Sequence, residues 1–409
     1  MGLLRSCFAR TQTWLQSGRY LNALVSDLPS RNGWTIGEQA GDRSPAKAQR
    51  LLNRASWDEA AVMSQVRRYA AAGLDAAAGR SRRKRMTVGA LDETGQEKQG
   101  TATSGVKRQY MGCAGRVANG INTVHLSYVR EKTGHALAGA RQWIPAEDIA
   151  DPVKSLLTGL PSDLRFRTKG QLAIDILGDA RADGLAFDFV CGDEVYGSCT
   201  QLREYLEDRG QAYVLRVASS FGVTLAAGTT MTCADTVRKL LKGKRAWEVR
   251  SAGKGSKGER WYAWAWLATA SPRHSVLVRR HLKTGELAFH YCYVPEGQPL
   301  TARLYTAILR HIVLVMAALA ICAVTAAMLR NRTDTQAPPP ARPDAPPPAD
   351  PGLIPLSVPE VRRLLASALS RPKPPGHAAR WLQWRRRHQA RSRWFHQRAR
   401  LCREYILVS

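Results

Sequence analysis

The succession of segments between Met86 and Val217 constrains the fold more than any other feature of this chain. Met86-Thr87-Val88-Gly89-Ala90-Leu91 is a short apolar run, and residues 109–112 and 121–129 are β-rich segments separated by Gly115 and Gly120. Residues 169–182 carry Leu172, Ile176 and Ala180 at i, i+4 spacing, which predicts a helix running into a strand at Phe187-Asp188-Phe189-Val190-Cys191. A helix over 200–208 and a strand over 212–217 follow. That order predicts a mixed α/β sheet rather than a sandwich or a bundle. Residues 245–267 and 275–294 read as another group of strands, with Trp261, Tyr262, Trp264 and Trp266 crowded together as on a half-buried face.

Upstream of the sheet, residues 8–78 read as helical and basic. Gly33-Trp34-Thr35-Ile36-Gly37-Glu38-Gln39-Ala40 predicts a short helix and Gly41-Asp42-Arg43 a turn. Residues 44–54 predict a second helix, with Ser44 as its cap and Pro45 at its first position. Lys47, Arg50 and Arg54 recur at helical spacing on one side, where a helix-turn-helix would set them against DNA. An ordinary helical hairpin with a solvated basic face fits the same spacing. The run Arg80-Ser81-Arg82-Arg83-Lys84-Arg85 makes a basic hinge that closes a helical N-terminal region at residues 1–85.

The basic character extends to the whole molecule. Sixty-one Lys and Arg against 33 Asp and Glu give a net charge of +28 in 409 residues, more than solubility needs. A nucleic-acid backbone is the natural counter-ion, with an anionic membrane surface as the rival. A content of 44% hydrophobic and 23% charged residues excludes wholesale disorder and a polytopic membrane protein, and the length allows two or three domains. The eight cysteines include no Cys-x-x-Cys pair and read as reduced cytosolic thiols. The opening Met1-Gly2-Leu3-Leu4-Arg5-Ser6 fits a myristoylation pattern too short to be specific. Polar residues within 12–19 interrupt any apolar leader, so the chain is expected in the cytoplasm.

Residues 312–328 are the one membrane candidate, but 17 residues reach only the bottom of the roughly 17–25 that a span needs, which favours a buried helix. The Pro-rich stretch 337–351 marks a semi-rigid linker at residues 329–352. Beyond it, residues 353–409 form a basic tail. There Trp381, Trp384 and Trp394 interleave with Arg385, Arg386, Arg387, Arg391 and Arg393, as in a phosphate-tracking helix.

Two acids stand where an apolar run gives way to polar residues. Asp92 follows residues 88–91 and opens Asp-Glu-Thr-Gly, and Asp193 follows residues 187–191 and opens Asp-Glu-Val-Tyr-Gly. In both, an acid ends a buried strand and small residues follow, which leaves room for a metal and a phosphate. Paired strand-end carboxylates hold two Mg²⁺ or Mn²⁺ ions for in-line attack on a phosphodiester, since hard cations want oxygen ligands. Single acids at strand ends are common. Two of them in a chain of charge +28 with DNA-like basic elements point to nuclease chemistry.

Three segments carry a family resemblance: Val88-Gly89-Ala90-Leu91-Asp92-Glu93-Thr94-Gly95-Gln96-Glu97-Lys98-Gln99-Gly100, Gln109-Tyr110-Met111-Gly112-Cys113-Ala114-Gly115 and Cys191-Gly192-Asp193-Glu194-Val195-Tyr196-Gly197. They closely resemble a bacterial insertion-sequence transposase of the DDE class, in the IS seven-zero-one group, over about residues 8–327. The resemblance implies an RNase H-like catalytic core at residues 86–328. It implies cleavage of double-stranded DNA at transposon inverted repeats, joining of the freed 3′-hydroxyl to target DNA, and a homodimer acting on the nucleoid. Asp92 and Asp193 match the family's first and second metal-binding acids, for a two-metal Mg²⁺ or Mn²⁺ site. Residues 225–297 look like the β-rich insertion between the second and third acids, where a Trp contacts DNA near the transposon end.

The third acid departs from the family pattern. The family carries a Glu on a helix, in a Trp-x-x-Glu type context, before the helix that here reads Leu304-Tyr305-Thr306-Ala307-Ile308-Leu309-Arg310-His311. In this chain Leu300 runs into that helix through Thr301-Ala302-Arg303, with neither Trp nor Glu between. An internal deletion near 300–303 follows. Glu286 and Glu296 lie in or beside strands, and Asp334 and Glu360 lack a helix-on-sheet context, so none fills the gap. Loss of one electrostatic contact alone predicts a rate lower by about 10²–10³, and loss of a covering helix predicts marginal folding. Two rivals stand beside this reading: a truncated transposase that occupies transposon ends without cutting, and a basic protein anchored by residues 312–328, which leaves the acids unexplained.

Overall fold

The apolar run ending at Leu91 does not stop there. The chain stays extended to Glu97 because residues 87–97 all pair with an antiparallel neighbour. The computed structural model describes residues 1–28, 30–79, 85–100, 102–255 and 258–296, and beyond them 335, 361, 364, 380, 381, 383 and 386. The elements open with α1 (Thr11–Val25), α2 (Gly33–Gln39), α3 (Ala46–Asn53) and α4 (Glu59–Ala78). Then come β1 (Thr87–Glu97), β2 (Lys107–Met111), β3 (Arg116–Arg130), β4 (Gly134–Trp143), α5 (Ala146–Ala150), α6 (Pro152–Thr158) and α7 (Lys169–Ala182). The second half holds β5 (Phe189–Gly192), α8 (Glu194–Gly197), α9 (Thr200–Glu207), β6 (Tyr213–Val217), β7 (Gly222–Thr224), β8 (Thr230–Thr232) and α10 (Cys233–Leu240). It closes with β9 (Glu248–Gly255), β10 (Gly258–Ala268), β11 (His274–His281) and β12 (Leu287–Tyr293).

The chain divides into two compact units, Met1–Gln65 with Leu329–Ser409, and Val66–Met328. In the first, Ala23 of α1, Ile36 of α2 and Ala48 of α3 meet in a small core. Asn32 caps α2, accepting the N–H groups of Trp34 and Thr35. Pro45 takes the capping position of α3 instead of its first turn, and Ser44 Oγ accepts the Ala46 N–H at 3.3 Å. The turn between α2 and α3 is held by Asp42, whose buried carboxylate accepts from Gln16 Nε2 at 2.9 Å and faces Lys47 Nζ at 3.4 Å. The Trp381 indole N–H donates to the Asp42 carbonyl at 2.9 Å, and its ring lies over Gly37, where a Cβ would meet it at 3.3 Å. Trp381 is therefore buried in the first unit, and its ring is not free to stack on nucleic acid, against the expectation for the tail.

The second unit is a mixed α/β structure around a ten-stranded sheet of order β2-β3-β1-β5-β6-β12-β11-β10-β9, with β4 also on β3. β1, β5 and β6 are parallel neighbours and the other pairs are antiparallel. One face carries Leu91, Leu126, Val190 and Leu215, packed against Leu74 of α4, Ile176 of α7 and Leu202 of α9. Burial of each such side chain stabilises by roughly 1.5–3 kcal/mol. α7 starts where a capping box forms between Thr168 and Gln171, and it ends at Ala182 as its periodicity predicts. Buried Arg67 of α4 donates to the Ala138 carbonyl and to Asp183, tying α4 to β4 and to the end of α7. The opposite face of the sheet carries Val88, Ala90, Cys191, Val214 and Cys292.

Strands β9 to β12 extend this same sheet, because β12 pairs with β6. The crowded aromatics differ in burial: Trp264 is buried, whereas Trp261 and Trp266 are about half exposed, at 51% and 46%. Among the described residues, no helix is long and apolar enough to cross a membrane. Residues 312–328, the junction at 300–303, Arg385 and Arg387 lie outside the described residues.

Candidate active site

Strand register brings the two predicted acids together. β1 and β5 run parallel with Ala90 opposite Cys191 and Leu91 opposite Gly192. Asp92 and Asp193 are the next residue on each chain, on strands spaced about 4.8 Å apart. By alternation both share the face of Ala90 and Cys191. Asp92 lies inside the long strand β1, not at its end as its sequence suggested; what ends beside it is β5. Asp193 caps α8, and its Oδ1 accepts the Val195 N–H at 3.0 Å, which fixes the carboxylate.

The electrostatics couple the pair. The Asp92 carboxyl is pushed up to about 6, mainly by burial; a hydrogen bond at the Glu93 backbone opposes the rise, and the charges of Asp193 and Glu93 add to it. Glu93 points to the other face, where Lys169 at the start of α7 meets it at 2.6 Å. That ion pair commits Glu93 to anchoring α7. His125 of β3 stands directly opposite Asp92 on the shared face, half-buried, with burial holding its pKa below the usual imidazole value. Sequence reading missed His125, since only the β1–β3 register places it there.

The small residues after each acid have a different role from the one their size suggested. A Cβ on Gly197 would fall 1.7 Å from the Arg216 carbonyl oxygen, so this glycine lets α8 lie against β6. Gly95 is packed under Met111, whose terminal carbon would sit 2.4 Å from an added Cβ. Both gaps are filled by protein and leave no room for a ligand.

As a donor set, Asp92 and Asp193 fit a hard divalent cation. They are two half-buried oxygen donors whose mutual repulsion a cation would relieve. Among the described residues, no group of three or more His, Cys, Asp or Glu could hold a metal ion. The residues expected to meet DNA belong to the other unit. Lys47 and Arg50 project from α3 and Arg54 follows it, all exposed, and Arg386 of the tail is exposed too.

Comparison with known proteins places the chain in a family. A probable transposase for insertion sequence element IS701 from Microchaete diplosiphon is 27% identical over 136 residues. That match spans 33% of this chain and 33% of the relative, about a third of its length. Among solved structures, the NurA nuclease from Sulfolobus solfataricus aligns with 55% of this chain and 72% of its own, at 12% identity and a TM-score of 0.24, a likeness that carries no weight. The profile of the DDE superfamily endonucleases matches residues 4–265. With well over half of its length so matched, the chain belongs to the DDE superfamily endonuclease family.

Proposed function

We propose that this protein is a DNA transposase with an RNase H-like core, and that Asp92 and Asp193 hold Mg²⁺ or Mn²⁺ for cleavage of insertion-sequence ends and strand transfer. The observation that carries the reading is the meeting of the two acids on one face at the point where β5 ends. When bound, the ion supplies charge stabilisation and activation of the attacking oxygen. The chain's own part is to preset the carboxylates, Asp193 through the Val195 N–H and Asp92 through the paired strand β1. Lys47, Arg50, Arg54 and the tail residues Arg385, Arg386 and Arg387 serve DNA affinity, and the acting species is a homodimer on the nucleoid. Catalysis in this copy is impaired, because Thr301-Ala302-Arg303 stands where the resemblance calls for a Glu-bearing helix. The same observation favours a second reading, a protein that occupies transposon ends and blocks an intact enzyme.

The test is incubation of the purified protein with labelled duplexes from the ends of the element that encodes it, with Mn²⁺ or Mg²⁺. Salt-sensitive binding with weak nicking that Asp92→Asn abolishes supports the proposal. Binding without nicking selects the second reading. Strong nicking lost in Asp92→Asn removes the impairment, and nicking that survives Asp92→Asn removes the site.

A further inference from the structure

The acid pair continues into a row of side chains across the sheet. Cys191 pairs with Val214 and Gly192 with Leu215, so the next residue, Asp193, comes beside Arg216 of β6. Arg216 in turn stands opposite His290 of β12. Alternation puts these residues on one face: Cys191, Val214 and Cys292 share it, each two positions before or after its partner in the row. Leu215 and Val217 point to the opposite face.

Arg216 is unusual for its place. It sits near the middle of a ten-stranded sheet between two buried residues, yet its side chain is exposed. Its guanidinium makes no hydrogen bond or ion pair with any described residue, Asp193 included. Opposite it, His290 is 8% exposed and its Nδ1 has no hydrogen-bond partner. An exposed guanidinium without a described partner, on the same face as the acid pair and one strand away from it, marks a surface that meets a polar ligand, whereas the buried His290 ring packs beneath it. The ligand must be anionic, and the fork of Arg matches a phosphate in two parallel hydrogen bonds.

We propose that Arg216 clamps a backbone phosphate of the DNA strand next to the bond presented to Asp92 and Asp193. The clamp fixes the strand's register along the β5–β6–β12 row, so that one phosphodiester faces the acids. This rests on the reading of the acid pair as a DNA site.

The probe is a series of end duplexes, each carrying a single neutral methylphosphonate at a successive position. Binding in Mn²⁺ is followed by fluorescence anisotropy for wild type, Arg216→Ala and Arg216→Lys. Wild type is expected to lose about tenfold in affinity at one or two positions. Arg216→Ala is expected to lose as much on unmodified DNA, to ignore those positions, and to show a log–log salt slope lower by about 0.9, the signature of one lost phosphate contact. Arg216→Lys retains the positional sensitivity in weakened form. Wild-type affinity and an unchanged positional profile in Arg216→Ala overturn the clamp. Should Arg216→Ala fail to fold, Arg216→Gln takes its place and the same two results decide. Nicking is read in parallel: wild type that shows the positional signature but never nicks removes the cleavage reading and keeps the clamp, whereas nicking without the signature removes the clamp alone.

Discussion

At Asp92, folding moves a carboxylate partly out of water and toward two other acids. Its pKa of about 6 lies above the ordinary carboxylate value, so the folded state binds this proton more tightly than the unfolded chain. The group's contribution is therefore favourable below about pH 4 and is lost as pH rises through about 6. Asp92→Asn is expected to raise stability at pH 8 by about 1 kcal/mol after allowance for solvent screening of a half-buried group, and the melting temperature with it, with the two melts converging near pH 4. Melts from pH 4 to 8 without divalent ions check this, and identical curves at pH 8 contradict it. Both acids were legible in the sequence, since a carboxylate after an apolar run is a local signal. His125 and Arg216 were not, because each owes its place to a strand register that no single segment encodes. Gly95 and Gly197 were misread for a similar reason: a glycine shows that space is needed and not what fills it.

Among the elements, α7 was readable end to end, because a cap, a 3.6-residue period and a turn all lie within it. β1 was read too short, since residues 92–97 are extended through pairing with β3 and not through their own composition. β4 was missed altogether, as Gly134, Gly139 and small residues hide its alternation. The short helix α8 depends on contact with β6 that only a glycine permits. Gly197→Ala is expected to push α8 away from Arg216, displace Asp193 and lower stability by about 1–3 kcal/mol, the usual penalty of overpacking. Urea unfolding measures the loss. Unfolding indistinguishable from wild type would show that α8 is not seated on β6.

For the molecule as a whole, the charge of +28 governs the proposed binding to DNA. Binding is expected to be strongly salt-dependent, falling by about 10³-fold or more between 50 and 200 mM salt if six or more phosphates are neutralised, and a titration series reads the slope directly. A flat response contradicts a phosphate-tracking surface. The order of segments announced the mixed sheet. That β9 to β12 extend the core sheet was invisible, because the β6–β12 pairing joins residues more than seventy positions apart. The central claim is that Asp92 and Asp193 form one cation site, and Mn²⁺ titration followed by electron paramagnetic resonance tests it most directly. Wild type and a Glu286→Gln control are predicted to bind Mn²⁺ alike, and Asp92→Asn and Asp193→Asn to lose it; no binding by wild type, or equal binding by all four proteins, would contradict the account.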